Sequence, residues 1–95
     1  MKLKGTKFQM QVWEEIKKIP KGRVKTYKEI ANIIGKPKSS RAVANACSKN
    51  PFIMQIPCHR VIRSDGFLGG YSGKGGIEMK KQLLIKEGFY KFKVR

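Results

Sequence analysis

Near the start of the chain, Phe8, Val12, Trp13, Ile16 and Ile19 recur at helical spacing, with Glu14, Glu15, Lys17 and Lys18 on the opposite face. Thr6 and Gln9 ahead of that stripe have the spacing of a capping box, and Pro20 ends the helix. Lys21 to Lys25 is a short basic connection with room for a strand residue or two. The capping spacing returns at Thr26 and Glu29, and Ile30, Ala31, Ile33 and Ile34 supply the buried stripe of a short second helix stopped by Gly35. Lys36-Pro37-Lys38 turns the chain, and Ser39 or Ser40 caps a third helix, Arg41 to about Ser48, with Ala42, Val43 and Ala46 inward. Two helices joined this way make a helix-turn-helix pattern.

The pattern then changes. Arg60 to Arg63 reads as a strand, Ser64-Asp65-Gly66 as a turn and Phe67-Leu68 as a returning strand. A fourth helix is predicted from about Ile77 to Glu87, with Met79, Leu83 and Leu84 inward and Gly88 as terminator. The tail from Phe89 alternates apolar and basic residues, as an edge strand or a cover for the core. The predicted fold is mainly α with a small β hairpin, a winged-helix-like domain containing a helix-turn-helix, and residues 1–95 make one domain.

Charge narrows the partners. The chain has 22 Lys plus Arg against 6 Asp plus Glu, a formal net charge of +16. A thermophile surface would carry matching acids for ion-pair networks. With acids this scarce, a polyanion is the expected partner, nucleic acid first. Ala42, Ala44 and Ala46 let the third helix approach another surface closely, while Arg41 and Lys49 at its ends can meet phosphates or enter a groove. A cation at a helix N-terminus opposes the macrodipole, so Arg41 is placed for something other than helix stability. No apolar run approaches the ~20 residues of a membrane span, and no signal-peptide pattern opens the chain. The expectation is a cytoplasmic monomer without a membrane partner, nucleoid-associated on DNA, or nuclear in a eukaryote. Two cysteines fit a reducing compartment, and with one histidine they fall short of a structural zinc site, so no metal is expected.

The candidate chemistry sits in Ile56-Pro57-Cys58-His59-Arg60-Val61-Ile62, which holds the only histidine. An imidazole beside a thiol can take its proton near neutral pH. In extended backbone the two side chains would point to opposite faces, so either the chain turns here or a water relays the proton. The plain alternative is a buried cysteine beside a satisfied histidine. Glu87, in a last turn where the dipole disfavours an anion, is either a surface accident or an inward partner that fixes the His59 tautomer. Asn50 forms a turn or holds the third helix and the Cys58 segment in register. Cys47 belongs to the core, and a Cys47–Cys58 disulfide would disable the nucleophile. Tyr27, in the first turn of the second helix, either packs or offers its O–H at an open site. The glycine-rich run from Gly69 to Gly76 carries Tyr71 and Ser72 and allows close backbone approach to a ligand, but it lacks the Gly-Lys-Ser or Gly-Lys-Thr of a P-loop.

Taken together, Pro57-Cys58-His59-Arg60-Val61, Asn50-Pro51, Arg41-Ala42-Val43, Gly70-Tyr71-Ser72-Gly73 and the Thr-Tyr-Lys-Glu-Ile-Ala stretch around Tyr27 resemble the O6-alkylguanine-DNA alkyltransferases. The resemblance runs from Phe8 through Gly88 and corresponds to the C-terminal DNA-binding and active-site domain of larger members, without their N-terminal domain. It implies a single-use DNA repair protein that flips O6-alkylguanine out of duplex DNA and moves the alkyl group onto its own cysteine, with no cofactor. By that likeness the catalytic set is Cys58 as acceptor, His59 as base through water, Glu87 as its partner and Asn50 as a tie. Tyr27, Val61, Ser72 and Tyr71 would contact the guanine. Arg41 would fill the gap in the stack, with Ser40, Ala42, Ala44, Lys49 and Arg60 on the DNA. The resemblance puts the recognition helix in the minor groove, where the motif alone suggests the major one. The Tyr71–Glu87 segment is slightly longer than in the family. Rival readings are an alkyltransferase-like lesion binder, which in that group replaces the cysteine, a winged-helix regulator, and a cysteine hydrolase with Asn50 orienting His59.

Overall fold

The structure is a computed structural model that describes residues 5–52, 55–71 and 75–93. Thr6 Oγ1 accepts from the Gln9 amide at 3.0 Å and Gln9 Oε1 accepts from the Thr6 amide at 2.9 Å, closing the first capping box. Helix α1 (Lys7–Lys17) follows and buries Val12, Trp13 and Ile16, with Ile19 buried just beyond. A two-residue strand β1 (Lys25–Thr26) leads into α2 (Tyr27–Ile33), where Thr26 and Glu29 repeat the box at 3.0 and 2.9 Å. Gly35, at φ +78°, turns the chain out of α2 in a conformation that suits glycine. Helix α3 (Ser40–Ser48) buries Val43, Ala46 and Cys47, and the Trp13 indole N–H donates to the Ala46 carbonyl at 2.9 Å. These three helices, with Ile56, Cys58 and Val61, make the larger core.

Two predicted stripes are shifted. Ile33 is exposed, because α2 turns only Ile30 and Ala31 fully inward. Ala42 is exposed as well: the buried stripe of this stretch is Val43, Ala46, Cys47 and Asn50, and Ala42 lies off that face.

The sheet differs from the expected hairpin. Strand β2 (Val61–Ile62) pairs in parallel with β1, Lys25 opposite Val61 and Thr26 opposite Ile62, with α2 and α3 as the crossover. The turn at Ser64–Gly66 does form, with the Arg63 amide on the Phe67 carbonyl at 2.9 Å, but Phe67 then bridges to Lys93 of the tail. The reason is burial. Both residues of β2 are covered, so the strand belongs inside the domain beside β1, whereas a lone two-stranded hairpin is marginal in water. Helix α4 (Gly76–Lys86) packs with Ile62, Leu68 and Leu84 as a second, smaller core flanked by Val24, Phe89 and Phe92. Its inward face is Lys80 and Leu84, and the predicted core residue Met79 is exposed. Among the described residues no helix is long and apolar enough to cross a membrane.

Candidate active site

Pro57 precedes a single turn of 3-10 helix, Cys58–Arg60, so the backbone turns at the Cys-His pair, one of the two arrangements expected there. The turn leaves Cys58 on the wall of a cleft of about 660 Å³ and sends His59 inward. Asn50 spans the approach: its Nδ2 donates to the Ile56 carbonyl at 2.7 Å and to Cys58 Sγ at 3.0 Å, while its Oδ1 accepts from the Phe52 amide at 2.8 Å. The Cys58 thiol is drawn below the ordinary cysteine range by the neighbouring Cys47, by Asn50 and by the charge of Lys80, against the opposing effect of burial. A lowered thiol in a cleft is a nucleophile in waiting.

His59 is 2% exposed, and its Nε2 lies 3.0 Å from Glu87 Oε2. Arg60 closes on the same carboxylate, Nε to Oε1 at 2.9 Å and Nη2 to Oε2 at 2.8 Å, and its Nη1 donates to the Ile19 carbonyl at 2.9 Å. That guanidinium, expected on DNA, is instead committed inside the protein, because Glu87 at the end of α4 offers it a bidentate acceptor. Arg60, and then His59, hold Glu87 down to about 2. Burial lowers His59 despite the carboxylate, so the ring is neutral near pH 7. With Nε2–H donated to Glu87, Nδ1 is the acceptor, and it has no protein partner among the described residues. A neutral imidazole with Nε2 anchored on Glu87 and Nδ1 left without a protein partner among the described residues is arranged as a base.

On the other side of the cleft stands Tyr27, its hydroxyl kept protonated because burial raises it. Gly69, at φ +75°, passes so close that a Cβ there would meet the Tyr27 hydroxyl at 3.0 Å. Beneath them lies a residue the sequence reading missed. Lys80 is fully buried, and its Nζ donates to the Leu68 carbonyl at 2.6 Å and the Gly70 carbonyl at 3.1 Å, with the Tyr27 hydroxyl at 3.5 Å. Desolvation brings it down to about 8. It straps the start of the glycine-rich loop to α4 under Tyr27. One signal could have found it: Lys80, Leu84 and Glu87 share a helical face, so an inward Glu87 implies an inward Lys80.

Of the other predicted residues, Ser40, Arg41, Ala44 and Tyr71 line the same cleft as Cys58 and Tyr27. Ala42 and Lys49 are exposed on and just after α3, outside the cleft wall. Val61 is buried in β2, and Ser72 lies outside the described residues. The sequence reading also passed over Arg63, which lines the cleft and pairs with Asp65 at 2.8 Å.

A model of the DNA-binding domain of 6-O-methylguanine DNA methyltransferase matches residues 7–89. The chain is 51% identical over 85 residues to the bifunctional transcriptional activator/DNA repair enzyme Ada of Escherichia coli (strain K12), covering 90% of this chain and 23% of Ada. It superposes on Mycobacterium tuberculosis OGT in complex with DNA with a TM-score of 0.86 at 46% identity, covering 90% of this chain and 51% of that one. It also superposes on S. pombe Atl1 in complex with damaged DNA containing O6-carboxymethylguanine, with a TM-score of 0.78 at 32% identity, covering 90% and 80%. The chain thus spans about a quarter of the Ada length and about half of the OGT chain.

Proposed function

The chain belongs to the 6-O-methylguanine DNA methyltransferase family through its DNA-binding domain, and on that premise we propose that it repairs O6-alkylguanine in duplex DNA by moving the alkyl group, once, onto Cys58. The observation that carries this reading is a lowered thiol on the cleft wall followed, in the same turn, by a buried imidazole whose Nε2 is anchored by Glu87 and whose Nδ1 has no protein partner among the described residues.

In this mechanism His59 Nδ1 takes the Cys58 proton through a water. The thiolate attacks the alkyl carbon, a carbon–sulfur bond forms, and the carbon–oxygen pair leaves on guanine. Tyr27, kept protonated by its surroundings, donates toward the ring as that charge arrives. The product is a thioether, which has no route back to the thiol, so the reaction runs once per chain. A base stacked in a duplex is out of reach, and flipping it costs a few kcal/mol. Arg41, on the rim of the cleft at the start of α3, fills the vacated stack, and the +16 charge holds the backbone. The protein acts as a monomer in whichever compartment holds the DNA.

The fold is also shared with S. pombe Atl1, solved in complex with damaged DNA containing O6-carboxymethylguanine, so lesion binding without transfer is the second reading. Intact-mass spectrometry after mixing with a duplex bearing O6-methylguanine separates them. One methyl per chain, saturating at one, is expected, and Cys58→Ala should bind the duplex and gain nothing. A wild-type chain that binds the lesion with its mass unchanged is a binder only.

A further inference from the structure

Among the described residues that line the cleft of Cys58 and Tyr27, Asp65 alone is acidic. A carboxylate on the wall of a cleft that receives a polyanion works against it unless a cation neutralises it. Arg63 does so: its Nη2 donates to Asp65 Oδ2 at 2.8 Å. Asp65 also shapes the turn, its Oδ1 accepting from the Phe67 amide at 3.1 Å while the Gly66 amide donates to the Arg63 carbonyl at 3.1 Å. Asparagine would serve that turn equally well, with the same oxygen and no charge. The second oxygen, and the charge, go to Arg63.

Arg63 is held at its stem and open at its head. A Cβ on Gly69 would meet Arg63 Cγ at 3.3 Å, so the stem lies along the start of the glycine-rich loop beside Tyr27. The two side chains of the ion pair are 47% and 40% exposed, and a pair that open to solvent is weak enough to exchange one partner. Arg63 also lines an adjoining groove with Lys81 and Lys93, where Glu78 is the one acid and is bonded to Gln82 at 3.1 Å. An anion reaching Arg63 therefore meets cationic surroundings. When a base lies inside the cleft, its sugar and phosphates stay at the opening. A phosphodiester there offers two oxygens to the guanidinium fork that Asp65 now occupies.

We propose that Arg63 is a phosphate clamp for the flipped nucleotide, held ready by Asp65: the carboxylate occupies the guanidinium in the free protein, and the phosphodiester beside the lesion replaces it in the complex. This rests on the reading of the cleft as the site that receives O6-alkylguanine from DNA. Asp65 stands in for the phosphate, keeping the arginine at the cleft, and competes with it for the same fork.

The test measures binding by fluorescence anisotropy in the full chain carrying Cys58→Ala, so that the lesion is not consumed. The duplex bears O6-methylguanine, with natural linkages or with one neutral methylphosphonate on the 5′ or the 3′ side of it. Arg63→Ala should weaken binding to the natural duplex about tenfold at about 0.1 M salt and reduce the slope of log affinity on log salt by about one. Asp65→Asn keeps the acceptor for the Phe67 amide, removes the competing charge and should tighten binding about threefold. One of the two neutral linkages should weaken the parent chain about as much as Arg63→Ala does, and should weaken the Arg63→Ala chain almost no further, since one contact cannot be lost twice. A loss that is the same with and without Arg63 at both linkages, or an Asp65→Asn chain that binds no tighter than its parent, overturns the clamp. Methyl transfer to the chain with Cys58 intact is scored separately by mass. A coupled linkage in a protein that gains no methyl supports the clamp and sinks the transfer reading instead.

Discussion

Around α1, α2 and α3 the interior is Val12, Trp13, Ile16, Ile30, Val43 and Ala46, an apolar core with one long side chain, Trp13, finding a carbonyl across the helix interface. Around the Cys58 turn and α4, the interior holds Asn50, His59 and Lys80, with Glu87 and Arg60 closing over them. The first region is held by area removed from water, which depends on shape and volume. The second is held by donors and acceptors that have lost water and must find one another. The apolar half serves as scaffold, and the polar half stores the unequal proton affinities that chemistry needs. Its buried groups cost stability in exchange for a shifted thiol, a neutral imidazole and an ionised carboxylate.

Three variants can break or sharpen that contrast. Trp13→Ala should have the largest effect, about 3–5 kcal/mol in urea unfolding, since it opens a cavity and orphans the Ala46 carbonyl. Because Ile56, Cys58 and Val61 share that core, both halves should unfold in one transition, and a separate transition for the site would mean the halves are independent. Glu87→Gln comes next, at about 2 kcal/mol near pH 7, because Arg60 loses its bidentate charge partner. Glu87 is depressed to about 2, so its contribution is complete above the usual carboxylate range and is lost as pH falls from about 5 toward 2. The variant should lack that acid limb in a stability–pH series; retaining it would place the acid sensitivity elsewhere.

Lys80→Met should change stability least, within about 1 kcal/mol at pH 7, because removing a buried charge offsets the lost bonds to Leu68 and Gly70. Its transfer rate should still fall, by about tenfold or more, since Cys58 loses a nearby cation and the glycine-rich loop its strap. Lys80 lies at about 8 in the fold against its usual 10.5, so the unfolded chain binds more protons between those values. Wild-type stability therefore gains a rising component over that window, which the variant lacks. A variant as fast as wild type would reduce Lys80 to structure alone.

Much of the molecule was readable along the chain because the signals are local. Thr6 with Gln9 and Thr26 with Glu29 lie within one helical turn of each other, and both boxes close in the structure. The Cys58–His59 pair and the glycines near Tyr71 are likewise contiguous, so the candidate chemistry announced itself with no knowledge of the fold. On α2, α3 and α4 one residue predicted inward, Ile33, Ala42 and Met79 respectively, is exposed, because period alone leaves the angle and width of a helix's buried face open.

What only the tertiary structure decided involves partners far apart in sequence. The pairing of Lys25 and Thr26 with Val61 and Ile62, the commitment of Arg60 to Glu87 and Ile19, and the burial of Lys80 beneath Tyr27 each join separate elements. The meeting of Cys47 with Cys58 is of the same kind. A local pattern states which residues share a face of one helix. Which charges and thiols lose water together depends on how those faces meet, and that is where the reactivity of this site is set.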